Sequence, residues 1–323
     1  MQRPSPNGRR LRRLDAGIVP RPAAKPSVDH RETTIGTKQV IINADDFGAT
    51  ARVNAAVLRS HREGVLTAAS LMVNEPGSLE AIEIARRTPT LAVGLHVAMS
   101  DGAAALGHSD APHIVNIDGS FTSDPVRAAI RYHLSEPARR ELVREIHAQF
   151  ERFASTGLPL SHVDGHQHMH VHPAAWSTVV RLAAQAGAGG IRVPLEEYRP
   201  WSRGRRLARR FELLWLASMR RMMQPDSSTL GLVRADRVYG QLETGQMRAP
   251  YVVDLLGRLA GDVNEVYLHP GTLHARQLPG RTDGMDCDLE ALLCPAVRGA
   301  VATHGLRLTS YLGLANERRG MEA

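Results

Sequence analysis

The chain has 323 residues, 43% of them hydrophobic and 23% charged, a composition that supports a sizeable core and excludes a largely unfolded or fibrous chain. Its two cysteines, Cys287 and Cys294, form no CxxC pair, which argues against a disulfide framework or a cysteine zinc site. The net charge of +7 is concentrated at one end: residues 1–38 carry nine Lys/Arg against three Asp/Glu, a net of +6, leaving the other 285 near neutrality. That near-neutral remainder, with only 4% aromatic residues, speaks against a nucleic-acid binder, and no nucleic-acid partner is expected.

Residues 1–37 are rich in Pro, Arg and Ser without a hydrophobic period and read as a disordered basic tail. The stretch RRLRR near the start has no apolar run after it, so a secretory signal is not expected. No run of 18 apolar residues occurs either, so no transmembrane helix is expected; with only two cysteines, the cytoplasm is the expected location. Beyond the tail, QVIINADDF (39–47) begins as a buried strand. ARVNAAVLRSHREG (51–64) has helical spacing and a terminal glycine. TAASLMV (67–73) and LAVGLHVAM (91–99) read as strands, with a helix at 78–87 between them. Residues 100–137 read as a loop-like insertion over one end of the sheet, and 136–156 as a long helix.

SHVDGHQHMHVHP (161–173) reads as a fourth strand running into a loop. A helix with proline in its first turn follows. GIRVP is strand-like, 203–223 is a basic helix, a helix is expected at 248–260, NEVYLHPG (264–271) is a late strand, and a final helix is expected near 286–303. Repeated strand–helix units imply an α/β fold with a mostly parallel sheet. About seven strands favour an irregular (β/α) barrel over an open sheet, as a single domain over 38–315. In either architecture chemistry belongs at the C-terminal strand ends.

Metal-capable residues collect at four such ends. Asp45 and Asp46 follow an apolar strand, His96 ends another, the histidine cluster ends the fourth, and His269 ends a late one. Adjacent carboxylates after a buried strand are costly without a partner, and a cation would offset the cost. Helix capping is the alternative use for one of them. In the cluster, His162, Asp164, His166, His168 and His170 share one parity, so an extended strand would turn all five to one face. One ion cannot use so many groups; the rest would orient ligands or touch substrate. A set of Asp and two His suits Zn, Fe, Co, Ni or Mn and does not exclude Mg. With a free carboxylate as base and a histidine as acid, the parts suit hydrolysis of an amide or ester. A metallophosphoesterase would want a phosphate-cradling glycine loop, and AGAGG (186–190) reads as a helix stop instead.

The motifs IINADDFG, TAASLMVN, VGLHVAM, HVDGHQHMHVHP and YLHPG resemble the YdjC-like carbohydrate deacetylases, the ChbG/HpnK family. HREGVLTAASLMV and DRVYGQL…NEVYLHPGT look most like the HpnK branch, associated with hopanoid biosynthesis. The resemblance spans about residues 38–310. It implies an irregular (β/α) barrel related to polysaccharide deacetylases, and one divalent metal ion, Mg or Zn, bound by Asp46, His96 and His166. It implies Asp45 as general base and His269 as general acid. Asp164, His168 and His170 would support the ligands or line the substrate pocket. The implied substrate is an N-acetylated amino sugar: N-acetylglucosaminyl hopanoid for the HpnK branch, or soluble N-acetylated chitooligosaccharides. A homodimer is compatible with the resemblance.

The segment 203–223 bears on the lipid separately. Leu207, Phe211, Leu214, Ser218 and Met222 share a helical stripe, with eight arginines between 199 and 221. Such a helix suits either packing on the barrel or peripheral contact with the inner face of the cytoplasmic membrane.

Overall fold

The structure, a computed structural model, describes residues 37–194, 230–272 and 286–321. The tail up to residue 36 and the helix expected at 203–223 lie outside the described residues. No helix among the described residues is long and apolar enough to cross a membrane.

Eight strands form one sheet: β1 (Gln39–Phe47), β2 (Ala68–Leu71), β3 (Ala92–Val97), β4 (His162–Gly165), β5 (Gly190–Ile191), β6 (Arg237–Tyr239), β7 (Val263–Leu268) and β8 (Arg307–Thr309). Their order is β5-β4-β3-β2-β1-β7-β6, with β8 paired to the start of β1. Every ladder between them is parallel. The sheet curls so far that Val233, just ahead of β6, bridges Gly190 of β5, giving a barrel-like α/β fold. In β1 the run Val40–Phe47 is buried throughout; a parallel strand covered on both faces reads as continuous burial rather than alternation.

The helices are α1 (Ala51–Glu63), α2 (Ser78–Arg87), α3 (Pro125–Leu134), α4 (Glu136–Ser155), α5 (Pro173–Gln185), α6 (Ala249–Leu256), α7 (Cys287–Leu293), α8 (Pro295–Thr303) and α9 (Tyr311–Met321). Local chemistry fixes their starts. Ser135 caps α4 by accepting from Ala138 N, and α4 then buries Leu142, Ile146, Phe150 and Phe153. The His172 ring caps α5, with Pro173 at the first helical position, where a missing N–H costs nothing.

Three element readings need correction. The 100–137 segment is not all loop: Asp124 accepts from Val126 N and Arg127 N, and with Pro125 behind it starts α3. The expected helix at 286–303 is two, because Pro295 cannot donate to α7 and the chain turns extended at Cys294. Beyond residue 303 the chain adds two elements the sequence pattern does not announce, β8 and α9. Neither Asp45 nor Asp46 caps α1; Thr50 does, accepting from Val53 N.

Candidate active site and metal centre

Because all strands run the same way, their C-terminal ends meet at one rim. There β1 departs from regularity. Its register against β2 slips between Ala44 and Phe47, and Asp46 adopts φ 64, a left-handed conformation that Asp tolerates better than most residues. The irregularity re-aims the Asp46 carboxylate. Its Oδ1 lies 3.0 Å from His166 Nδ1 and 3.5 Å from His96 Nε2. One ligand atom from each of Asp46, His96 and His166 falls within 4.8 Å of the others. The three residues span 120 positions of the chain and come from the ends of β1, β3 and β4.

The parity argument for the histidines fails beyond Gly165. β4 stops there, and residues His166–Val171 form a 3-10 turn, with Gln167 and His168 at φ 53 and 56. The turn swings His166 toward Asp46. It sends the His168 ring to Tyr267 Oη (3.0 Å) and the His170 Nε2 to the Arg192 carbonyl (2.9 Å). Burial drives His168 down to about 3 and His170 to about 4, so both are neutral. His162, also pushed by burial to about 4, meets Ser70 Oγ at 3.0 Å.

Asp164 pairs in register with His96 across β3 and β4. Its Oδ1 sits 2.8 Å from His96 Nδ1, its Oδ2 accepts from Ser70 Oγ, and the same Oδ2 forms an ion pair with Arg192 Nη1 at 2.9 Å. Burial alone would lower the His96 pKa; the charge of Asp164, then hydrogen bonds to Asp164 and Asp46, raise it to about 10. Burial would lower His166 as well; the charge of Asp46, then polar contacts with Asp101 and Asp46, together raise it to about 9. Asp45 has partners of its own. Arg192 grips it with two prongs at 2.7 and 2.8 Å, and Asn43 Nδ2 donates to the same carboxylate. Burial would raise Asp45, but the guanidinium holds it below the usual carboxylate range. An oxygen of Asp45 still lies within 4.8 Å of ligand atoms of His96 and Asp164. His269 follows β7 directly, one residue past the register pair Ala44–Leu268, and its backbone N–H donates to Asp288 at 2.8 Å. Its ring stands edge-on to Tyr267 at 5.7 Å. The structure therefore brings Asp45, Asp46, His96, Asp164 and His166 together, with His269 on the adjacent strand end.

Residues 39–303 match the family model described as YdjC-like protein. The chain belongs to that family. A carbohydrate deacetylase from Brevibacillus brevis is 38% identical over 163 residues, 50% of this chain and 60% of that enzyme. One from Vibrio campbellii is 29% identical over 288 residues, 87% of this chain and 98% of the relative. Among solved structures, a candidate cellobiose-phosphate cleavage protein from Enterococcus faecalis is 23% identical with a TM-score of 0.64, over 86% of this chain and 99% of its own. That likeness shows the fold is shared. The expectation of an enzyme, a hydrolase of amide C–N bonds, agrees with curated relatives named as deacetylases.

This YdjC-like chain carries two site residues that motif reading missed. Arg192 is fully buried and contacts Asp45, Asp164 and Glu265. Glu265 accepts from Arg192 Nη2 at 2.7 Å and from Tyr311 Oη at 2.7 Å. A signal was present in both cases: an arginine inside GIRVP and a glutamate inside NEVYL interrupt runs patterned for burial. A buried charge without a partner is too costly to keep, so the two could have been paired from the sequence.

Proposed function

We propose that this protein is a metal-dependent N-deacetylase of amino sugars. The observation that carries the reading is the convergence of Asp46, His96 and His166 beside a carboxylate, Asp45, that Arg192 holds ionised. The residues fit a divalent ion. Two imidazole nitrogens face one carboxylate oxygen at 3.0 and 3.5 Å, and one oxygen with two ring nitrogens is a donor set that suits Zn and its neighbours and tolerates Mg. Three protein ligands leave a position for water or substrate.

A divalent cation held by Asp46, His96 and His166 would polarise an acetamide carbonyl and make water more acidic. The chain's own groups do the rest. Asp45 takes the proton of the attacking water; two prongs from Arg192 and one bond from Asn43 fix its orientation, and Oδ2 keeps a lone pair for that proton. Asp164 holds the His96 ring by Nδ1, which leaves Nε2 toward Asp46. His269 gives a proton to the amide nitrogen as the C–N bond breaks, so the amine departs neutral. The products are a free amino sugar and acetate.

For the substrate, HREGVLTAASLMV and DRVYGQL…NEVYLHPGT support the HpnK branch and N-acetylglucosaminyl hopanoid, converted to glucosaminyl hopanoid. The curated relatives, named for carbohydrate rather than lipid, favour a second reading, soluble N-acetylated chitooligosaccharides. A lipid-linked substrate would place the enzyme at the inner face of the cytoplasmic membrane. The deciding experiment incubates the full chain, with Mg or Zn and with chelator, on N-acetylglucosaminyl hopanoid and on diacetylchitobiose, following acetate by mass spectrometry. Comparable turnover of the soluble sugar removes the lipid assignment. No acetate from either substrate with any of the metals removes the deacetylase reading.

A further inference from the structure

The loop after β3 brings one more carboxylate to the rim. Asp101 Oδ2 lies 4.0 Å from His166 Nε2, on the ring edge opposite the Nδ1 that faces Asp46. That is an ion-pair distance rather than a hydrogen bond, and the side chain, 52% exposed, has rotamer freedom to shorten it. The arrangement mirrors His96, whose Nε2 faces Asp46 while Nδ1 meets Asp164 at 2.8 Å. Each histidine thus turns one nitrogen to Asp46 and the other to a carboxylate of its own.

Asp101 is held in place by its backbone. It adopts φ 54, a left-handed region that a non-glycine residue keeps where surroundings enforce it. The surroundings do so. Asp101 N donates to Thr122 O at 2.9 Å. The buried Ser100 hydroxyl donates to Gln167, the neighbour of His166, at 2.9 Å, and Ala103 N donates to Glu75 at 2.7 Å.

We infer that Asp101 is a positioning residue for the metal centre: it accepts the Nε2–H of His166 and so fixes the ring with Nδ1 toward the cation. The inference rests on the proposed metal site. Carboxylates behind metal-binding imidazoles set the tautomer and ring angle, and losing one typically weakens metal affinity about 10–100-fold. Asp101 departs from the usual case in being half exposed and in coming from the 100–137 insertion, outside the barrel strands.

The test measures Zn affinity of the full chain by competition with a chromophoric chelator, for wild type and for Asp101→Ala, Asp101→Asn and Asp101→Gly. Thermal melts of each are recorded in excess chelator. We expect Ala and Gly to weaken Zn binding about 10–100-fold, with Asn, which retains one oxygen acceptor, in between. Glycine is at ease at φ 54, so Asp101→Gly should melt in chelator no lower than wild type. Unchanged Zn affinity in Asp101→Ala overturns the inference. So does a chelator-state melting loss in the Gly variant that parallels its affinity loss, because that marks a loop-building role. Asp46→Asn separates the two layers. If it binds Zn like wild type, the metal site itself is misplaced and the inference falls with it; if it alone loses Zn, only the role of Asp101 fails.

Discussion

Asp45 and Arg192 meet fork to fork, Nη1 2.7 Å from Oδ2 and Nη2 2.8 Å from Oδ1, across 147 residues of chain. The same guanidinium contacts Asp164 and Glu265, so one cation serves three buried carboxylates. Removing one partner of a buried ionic group typically costs about 3–5 kcal/mol, because charge is left without compensation. Arg192→Met should therefore lower unfolding stability in urea by about that amount. Arg192→Lys keeps the charge and loses the planar fork. It should fold better than the Met variant yet turn over more slowly at a near-normal KM. A wild-type kcat in Arg192→Lys would show that the fork does not orient the base.

The neighbours Asp45 and Asp46 make a sharper pair of variants, since the irregular end of β1 sends them to different tasks. Asp45→Asn should keep stoichiometric Zn binding while deacetylation falls about 10²–10⁴-fold, the usual worth of a positioned acid or base. Asp46→Asn should lose the metal first and activity with it. Equilibrium dialysis against Zn, run beside an acetate assay, distinguishes the two. Loss of Zn from Asp45→Asn alone would reverse the assignment.

How much of this was written in the chain depends on the kind of signal. The parallel α/β pattern was legible, since β1 to β3 are mostly apolar and each is followed by a helix or turn. The convergence of Asp46, His96 and His166 was legible only through the order of motifs, because strand ends in a curled parallel sheet share one rim. What misled was parity. Two consecutive left-handed residues, Gln167 and His168, break the two-residue period in a way composition does not announce. Asp46 hides likewise in a left-handed bend at the end of an otherwise continuous strand. Asp101 lies in the segment that reads as a loop, and its φ and its distance to His166 exist only in three dimensions.

The buried wall behind the site has little tolerance for volume. A methyl group at Gly94 of β3 would sit 2.5 to 2.6 Å from three atoms of the His162 ring, which is fully buried and joined through Ser70 to Asp164. Overpacking a core position costs about 1–3 kcal/mol. Gly94→Ala should lose that much stability in urea, and because the ring's neighbours include the carboxylate that orients His96, its Zn affinity should fall as well. A variant as stable as wild type would mean that the His162 ring has room to move.

The two ligand histidines also predict how pH and metal interact. Burial opposes charge on both, but their carboxylate partners raise His96 to about 10 and His166 to about 9 in the metal-free protein, above the roughly 6.5 of an unperturbed imidazole. A folded pKa above the unfolded one stabilises the fold fully below that lower value, and the contribution fades as pH rises through about 9 to 10. A cation needs the same ring nitrogens unprotonated, so protons and metal compete. The gain in Tm on adding Zn should therefore grow steadily between about pH 6 and pH 9, while the chelated protein loses stability toward the upper end. Differential scanning calorimetry with Zn and with chelator, at matched ionic strength, measures both slopes. A Zn-induced shift that stays flat across this window would mean that the ion does not displace protons from these rings, and that the cation sits elsewhere.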